Sequence, residues 1–316
     1  MEKDEQLSIQ YYREGDQFSL FEAPTVAQKM RSGVVDDIMA REITSQVQNF
    51  ESEDALTASE VVKTKIMLSY EGVEITGKVQ LTPFDREVID AVATLSMDNE
   101  YVTSSTIYRV MSGKTKNEFV GYKQRNRVIQ SMEKCLFSKL TIRLPDAFVE
   151  AHKDEIQRID AVFTGQLLAF EKVTANSSQG PIDCYKLLAR PALFRYAQSV
   201  GKVSTFPIAM LDTPPAKTER IIMLQGYLLR RIDAMNRKEE PLTKIMWRDV
   251  YQALGIENAA RNQLMRIRSS AEDILEYWKK FDFFQSYRVD RKTNGGITVT
   301  PNYGFHCREL RQQDIG

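Results

Sequence analysis

The chain is poor in the residues that hold metals and close disulfides. It has three cysteines, Cys135, Cys184 and Cys307, and two histidines, His152 and His306, in 316 residues. The cysteines are far apart, odd in number and form no C-x-x-C pair, which argues against a disulfide framework or a zinc site. No H-x-H or H-E-x-x-H occurs, so neither a histidine-bound metal beside a tyrosine nucleophile nor a zinc protease is expected. No apolar run is long enough to span a bilayer. The start, MEKDEQLSIQ, lacks a basic segment followed by an apolar core, so a secretory signal is not expected. These absences fit a protein of a reducing cytoplasm with no membrane association. G-x-S-x-G is also missing. MSGKTKNEF holds a Gly-Lys-Thr, but the upstream glycine of a phosphate-binding loop is replaced by Tyr108. No catalysis, metal or cofactor is expected.

The chain also lacks net charge, with 43 basic and 43 acidic residues. That zero conceals an asymmetry. Residues 1–62 hold 13 acidic and 5 basic residues, a net of −8, so the remainder carries +8. An acidic leader on a basic body suggests an anionic partner for the body. Residues 1–62 read as a polar arm. Helices are expected between Ala23 and Phe50, with Val34, Val35, Ile38 and Met39 as an apolar strip, and 51–59 reads as a linker.

From Thr64 to Leu81 the pattern is strand, Glu-Gly turn, strand. LTPFDREVIDAVATL then opens a helix, with Thr82 as N-cap, Pro83 as first helical residue and Asp85 and Glu87 at the positive end of the helix dipole. A short helix follows in TSSTIYRVMSG, ended by Gly113. After the basic loop GKTKNEFVGY, a third helix runs through KQRNRVIQSMEKCLF, with Val128, Ile129, Met132, Cys135 and Leu136 inward. LTIRLP, GQLLAFEKV (165–173) and IDCYKLLA (182–189) read as extended, and 146–160 as an inserted amphipathic helix.

The order then repeats. AKTERIIMLQGYLLRRIDAMNR is a long helix. IMWRDVYQALGI is a second, with Trp247, Val250, Tyr251 and Leu254 inward and Gly255 closing it. ENAARNQLMRIRSSAEDILEYWKKF is a third, with Leu264, Ile267, Ala271, Ile274 and Trp278 inward. YRVDRKTNGGITVTP ends the pattern as a hairpin with Arg291, Lys292, Asn294, Gly295 and Gly296 at its tip. Asn-Gly and Gly-Gly suit the positive φ of tight hairpin turns.

Two three-helix units, each with a hairpin after its third helix, define the expected fold class. It is α+β, with two tandem winged-helix domains behind an acidic N-terminal arm. The arm is 1–62, the first domain 63–212 and the second 213–316. A third helix of this kind has the width to enter the major groove of duplex DNA, with its first turns nearest the base edges. The candidates are Lys123, Gln124, Arg125, Asn126 and Arg127 in the first unit. In the second they are Asn258, Arg261, Asn262, Arg266 and Arg268. Lys114 and Lys116 of the basic loop, and Arg288, Arg291 and Lys292 of the last hairpin, would meet phosphates. The competing reading of each helix is an ordinary solvated face. For the hairpin it is a charged tip that resists edge pairing.

LTPFDREVIDAVATL, RPALFRYAQSVGKVSTFPIAMLD and YLLRRIDAMNR resemble plasmid replication initiators built from tandem winged-helix domains, over about 64–302. The resemblance implies binding to repeated origin sequences, local melting and recruitment of a host helicase. It also implies repression of the initiator's own promoter as a homodimer. A winged-helix transcriptional regulator is the alternative on the same fold. A protein-interaction module without DNA is a third.

Overall fold

The computed structural model describes residues 12–14, 17–19, 24–31, 62–67, 72–77, 81–114, 118–143, 162–177, 180–199, 201–292 and 295–305. The expected helix at 146–160, the Val34–Met39 strip, the linker at 51–59 and Lys116 lie outside them. The fold is α+β, with seven α-helices and several small antiparallel sheets among the described residues; β1 (Tyr12–Glu14) and β2 (Gln17–Ser19) pair with each other, and α4 spans Ala192–Ser199. None of these helices is long and apolar enough to cross a membrane.

The first half holds α1 (Pro83–Leu95), β6 (Tyr101–Thr103), α2 (Ser104–Ser112), α3 (Tyr122–Leu136), β9 (Phe170–Ser177) and β10 (Gly180–Leu187). Its sheet has the order β6-β10-β9. The second half holds α5 (Glu219–Asn236), β12 (Lys244–Met246), α6 (Trp247–Ala253), α7 (Arg261–Trp278), β13 (Phe284–Val289) and β14 (Gly296–Pro301). Its sheet has the order β12-β14-β13. The three helices and the later hairpin recur in both halves in the expected order. A short strand not read from the sequence follows the first helix of each half, and β7 (Lys139–Arg143) and β8 (Val162–Gln166) separate the third helix from the hairpin in the first half.

Local chemistry accounts for the boundaries. Thr82 caps α1, with Pro83 as its first helical residue. The Thr82 amide donates to Asp85 Oδ2 at 2.6 Å, closing the turn. Gly113 ends α2 and Gly255 follows α6, each in the left-handed region. The glycines of the last hairpin serve another purpose. Neither Gly295 nor Gly296 has positive φ. Gly296 belongs to β14, and a Cβ there would lie 2.3 Å from the Ile245 carbonyl oxygen. Close approach of β12, not turn conformation, selects glycine there.

The insertion in the first half builds a further sheet. β4 (Val62–Met67) and β5 (Gly72–Gly77) pair as expected, and β7 (Lys139–Arg143) and β8 (Val162–Gln166) extend them in the order β4-β5-β7-β8. The expected single run at 165–173 is broken. β8 ends at Gln166, Leu167 and Leu168 turn into the core, and β9 starts at Phe170. The bend lets one chain segment serve two sheets.

The expected arm is also corrected. Val26–Met30 is a strand, β3, paired antiparallel with β11 (Val203–Pro207). Its other edge is satisfied by α1 side chains. The Gln28 amide donates to Thr94 Oγ1 at 2.9 Å, and the Met30 amide donates to Asp90 Oδ1 at 3.1 Å. β3 therefore lies in the core rather than in a solvated leader.

β3 also brings Lys29 to the junction of the halves. Lys29 Nζ and Arg230 Nη1 of α5 each donate to Glu87 of α1, both at 2.6 Å. All three are buried. Glu87, expected only as an acid at the positive end of the helix dipole, is also the centre of this cluster. Burial pushes its pKa up, but Lys29 and Arg230 outweigh that and hold it at about 2. Burial acts on the neighbouring cation too, lowering Arg86 to about 9 with help from Arg230. The apolar core is continuous across both halves. Its aromatic centre places Phe283 against Phe206, Trp278 and Phe305, with centroids 5.9, 5.4 and 5.0 Å away.

Candidate nucleic-acid interface

α7 buries Ile267, Ala271, Ile274, Leu275 and Trp278. The helical period then turns Arg261, Asn262, Met265, Arg266 and Ser269 outward, and all five are exposed. They span two turns, about 12 Å along the axis, comparable to the depth of helix a major groove accepts. No side chain caps the helix at Ala260, so its first-turn amides lack that partner. Asn258, just before it, is exposed as well.

Beyond Ser269 the face changes sign. Glu272, Asp273 and Glu276 occupy the C-terminal half of α7. Arg291 pairs with Glu272, and Lys279 pairs with Glu276 at 2.8 Å. Tyr287 Oη donates to Glu276 at 3.0 Å, and burial followed by that carboxylate pushes Tyr287 up to about 12. Only the N-terminal half of α7 suits a polyanion.

The hairpin β13–β14 packs along the C-terminal half of α7 through Tyr287–Glu276 and Arg291–Glu272, and its tip reaches Arg268 at the boundary with the N-terminal half. Arg288 and Lys292 are exposed on it. Arg268, expected to read bases, is turned toward the hairpin instead. Its guanidinium lies over Trp247 and Tyr251, 5.4 and 5.7 Å from the ring centroids. It donates to Tyr251 Oη and to the Arg291 carbonyl oxygen. Trp247 Nε1 donates to the Asp290 carbonyl oxygen at 2.7 Å. Arg268 thus positions the hairpin on α6 and α7.

The first half differs. α3 buries Val128, Ser131, Met132 and Cys135. Lys123 and Arg125 are exposed and Asn126 is half-buried near them. Gln124, expected to read bases, accepts from the Gly121 amide at 2.7 Å and donates to Tyr108 Oη at 3.1 Å. Tyr108 Oη in turn bonds the Lys217 carbonyl oxygen. Arg127 bridges to Glu219 at the start of α5 and lies over Phe84, 5.3 Å from the centroid. Hydrogen bonding to Glu219 raises its pKa. Lys114 pairs with Glu118. Gln124, Arg127 and Lys114 are therefore engaged within the chain.

Sequence reading missed Met265 and Ser269, although the inward set Leu264, Ile267 and Ala271 already fixes the helical phase that turns them out. It also missed the exposed aromatics Phe119 and Tyr122 at the start of α3. Among the described residues no group of His, Cys, Asp and Glu could hold a metal ion.

No protein-family model matches the chain and no curated protein matches its sequence. Crystal structures similar to it include two of RctB fragments. The structure of RctB domains 2-3 is 12% identical with a TM-score of 0.40, covering 80% of this chain and 95% of that one. The selenomethionine structure of domain 2 and domain 3 of RctB is 13% identical with a TM-score of 0.38, covering 78% and 94%. Likeness at this level identifies neither a family nor an activity.

Proposed function

We propose that each half is a winged helix and that the chain binds double-stranded DNA sequence-specifically, as a replication initiator acting on repeated origin sites. The observation that carries this reading is the exposed cationic N-terminal half of α7, together with a hairpin that bears the exposed Arg288 and Lys292 and whose tip is tied to Arg268. Arg261 and Arg266 suit the two acceptors of a guanine edge, Asn262 suits adenine, and Met265 suits a thymine methyl. Arg288 and Lys292 suit the flanking phosphates. The acidic C-terminal half of α7 limits insertion to its first two turns. The repeated topology supports a second, weaker contact through Lys123 and Arg125 of α3.

The initiator role extends this reading through the resemblance of the sequence to tandem winged-helix initiators, as do self-association and contact with a host helicase. The proposed activity is binding and assembly in the cytoplasm, with no catalytic step. The test is selection from a random duplex pool by the full chain. A shared motif, lost with Asn262→Ala and Arg266→Ala, supports the reading. Recovery of no motif by a folded chain contradicts it. Recovered sites that bind as direct repeats favour an initiator, and a single inverted repeat favours a repressor.

A further inference from the structure

Two forks of the same chemistry sit at the edges of this surface. In the first half, Arg127 Nε and Nη2 donate to the two carboxylate oxygens of Glu219 at 2.9 and 2.6 Å. In the second half, Arg291 Nε and Nη2 donate to those of Glu272 at 2.8 and 2.5 Å. Both arginines use the same edge of the guanidinium.

A carboxylate and a phosphodiester each offer two oxygens to that edge, so either fits the fork. Neither pair is buried. The side chains are 29% and 38% exposed for Arg127 and Glu219, and 66% and 23% for Arg291 and Glu272. Both pairs stand open to solvent, where water and salt screen them, so the dense negative charge of a duplex backbone can exchange with the carboxylate. Position adds the second argument. Arg127 lies in the first two turns of α3, and Arg291 lies in the turn of the hairpin beside α7. Those are the places where docking as proposed above would bring the DNA backbone.

We propose that Arg127 and Arg291 are phosphodiester seats, filled in the free protein by the chain's own Glu219 and Glu272 and emptied when DNA arrives. This rests on the DNA-binding reading. The exchange has a consequence for selectivity. A duplex that makes few other contacts must displace both carboxylates for little return, so the forks weaken non-specific binding most. The two seats are unequal. Glu219 is the first residue of α5, where the helix dipole favours a carboxylate even without Arg127. Glu272 lies mid-helix beside Asp273 and Glu276, so losing Arg291 leaves like charges uncompensated. Release of Arg127 also unties α3 from α5, coupling DNA contact in one half to the bridge between the halves.

The test is duplex binding by the full chain across a salt series. The variants are Glu272→Gln, Arg291→Ala, the double substitution, and Asp273→Asn, an exposed neighbouring acid. Glu272→Gln should bind roughly fivefold more tightly at low salt, as loss of a wet ion pair allows. On random duplex, where the wild-type fork stays shut, its slope of log K against log salt should become steeper by about 0.9, the signature of one more phosphate neutralised. On a selected site, where Arg291 is already seated, the slope should match that of the wild type. The gain should vanish in the double substitution. A gain of equal size in Asp273→Asn, or one that survives without Arg291, would reduce the effect to bulk charge and overturn the inference. So would an unchanged Glu272→Gln in a chain that does bind DNA. Glu219→Gln, with and without Arg127→Ala, should repeat the pattern more weakly. A lower unfolding midpoint with an unchanged salt slope would make that pair a structural clamp. A wild-type chain that binds no DNA overturns the functional reading and this inference with it.

Discussion

Gly226 of α5 lies directly on the carboxylate of Glu87 in α1: a Cβ at Gly226 would stand 2.0 Å from Glu87 Oε1 and 2.6 Å from its Cδ. Glu87 cannot swing aside, because Lys29 and Arg230 hold both of its oxygens. The missing side chain lets the first helices of the two halves approach around a buried charge cluster. In an ordinary helix interior, Gly→Ala stabilises by about 1 kcal/mol. Here Gly226→Ala should destabilise by about 1–3 kcal/mol, the usual range for overpacking. Urea unfolding of the two chains checks the sign, and a more stable variant would show that the helices do not meet this way.

Lys29→Met should cost about 3–5 kcal/mol, because it leaves a buried carboxylate short of one cation. The same unfolding assay measures it. A neutral result would return β3 to the role of a loose leader.

Acid should expose the same cluster. Glu87 is held at about 2 against an ordinary 4.5. Its folded-state pKa is depressed, so its contribution is present above about pH 4.5 and lost as pH falls toward 2. Burial shifts Asp90 the other way, upward. Asp90 therefore favours the folded state when protonated and opposes part of the loss. The wild-type chain should lose stability between pH 4.5 and 2, and Glu87→Gln, less stable above about pH 4.5, should lack that limb, so the two converge toward pH 2. Unfolding midpoints across this window test it, and parallel profiles would assign the acid response elsewhere.

The surface makes a separate prediction. Arg266→Ala should cost about 1–3 kcal/mol on a selected site and little on random duplex. Lys292→Ala should weaken both nearly equally. Competition binding separates the two. Equal losses on both DNAs for Arg266→Ala would mean that α7 does not read bases.

How much of this was legible in the sequence depended on where the constraint lay. The inward residues of α7 and α6 follow a 3.6 period, and Trp247, Val250, Ile267, Ala271, Ile274 and Trp278 are all buried as that period requires. The caps at Thr82 and Gly113 are local chemistry and were readable for the same reason. β3 was not readable: it has five residues, and its buried Lys29 makes sense only beside Glu87, fifty-eight positions away. The candidate site divided along the same line. Periodicity shows that Arg261, Asn262 and Arg266 face outward. It cannot show that Arg127, Arg268 and Arg291 are engaged, because their partners come from other elements of the fold.

The central claim is that this surface binds duplex DNA, and the salt dependence of binding tests it most directly. Lys114, Arg127, Arg268 and Arg291 are engaged within the chain. Lys123, Arg125, Arg261, Arg266, Arg288 and Lys292 stand exposed. On random duplex, where the Arg127 and Arg291 forks stay shut and these six meet phosphates, log K should fall against log salt with a slope of about −5. Docking through the second half alone, with Arg261, Arg266, Arg288 and Lys292, should give about −4. The acidic 1–62 segment can compete for the same cations, so the measurement is best made on the full chain and on 63–316 that retains β3 as a supplied 24–31 segment. A slope between about −4 and −5 is the predicted result, and a slope near zero for the folded chain would contradict the account.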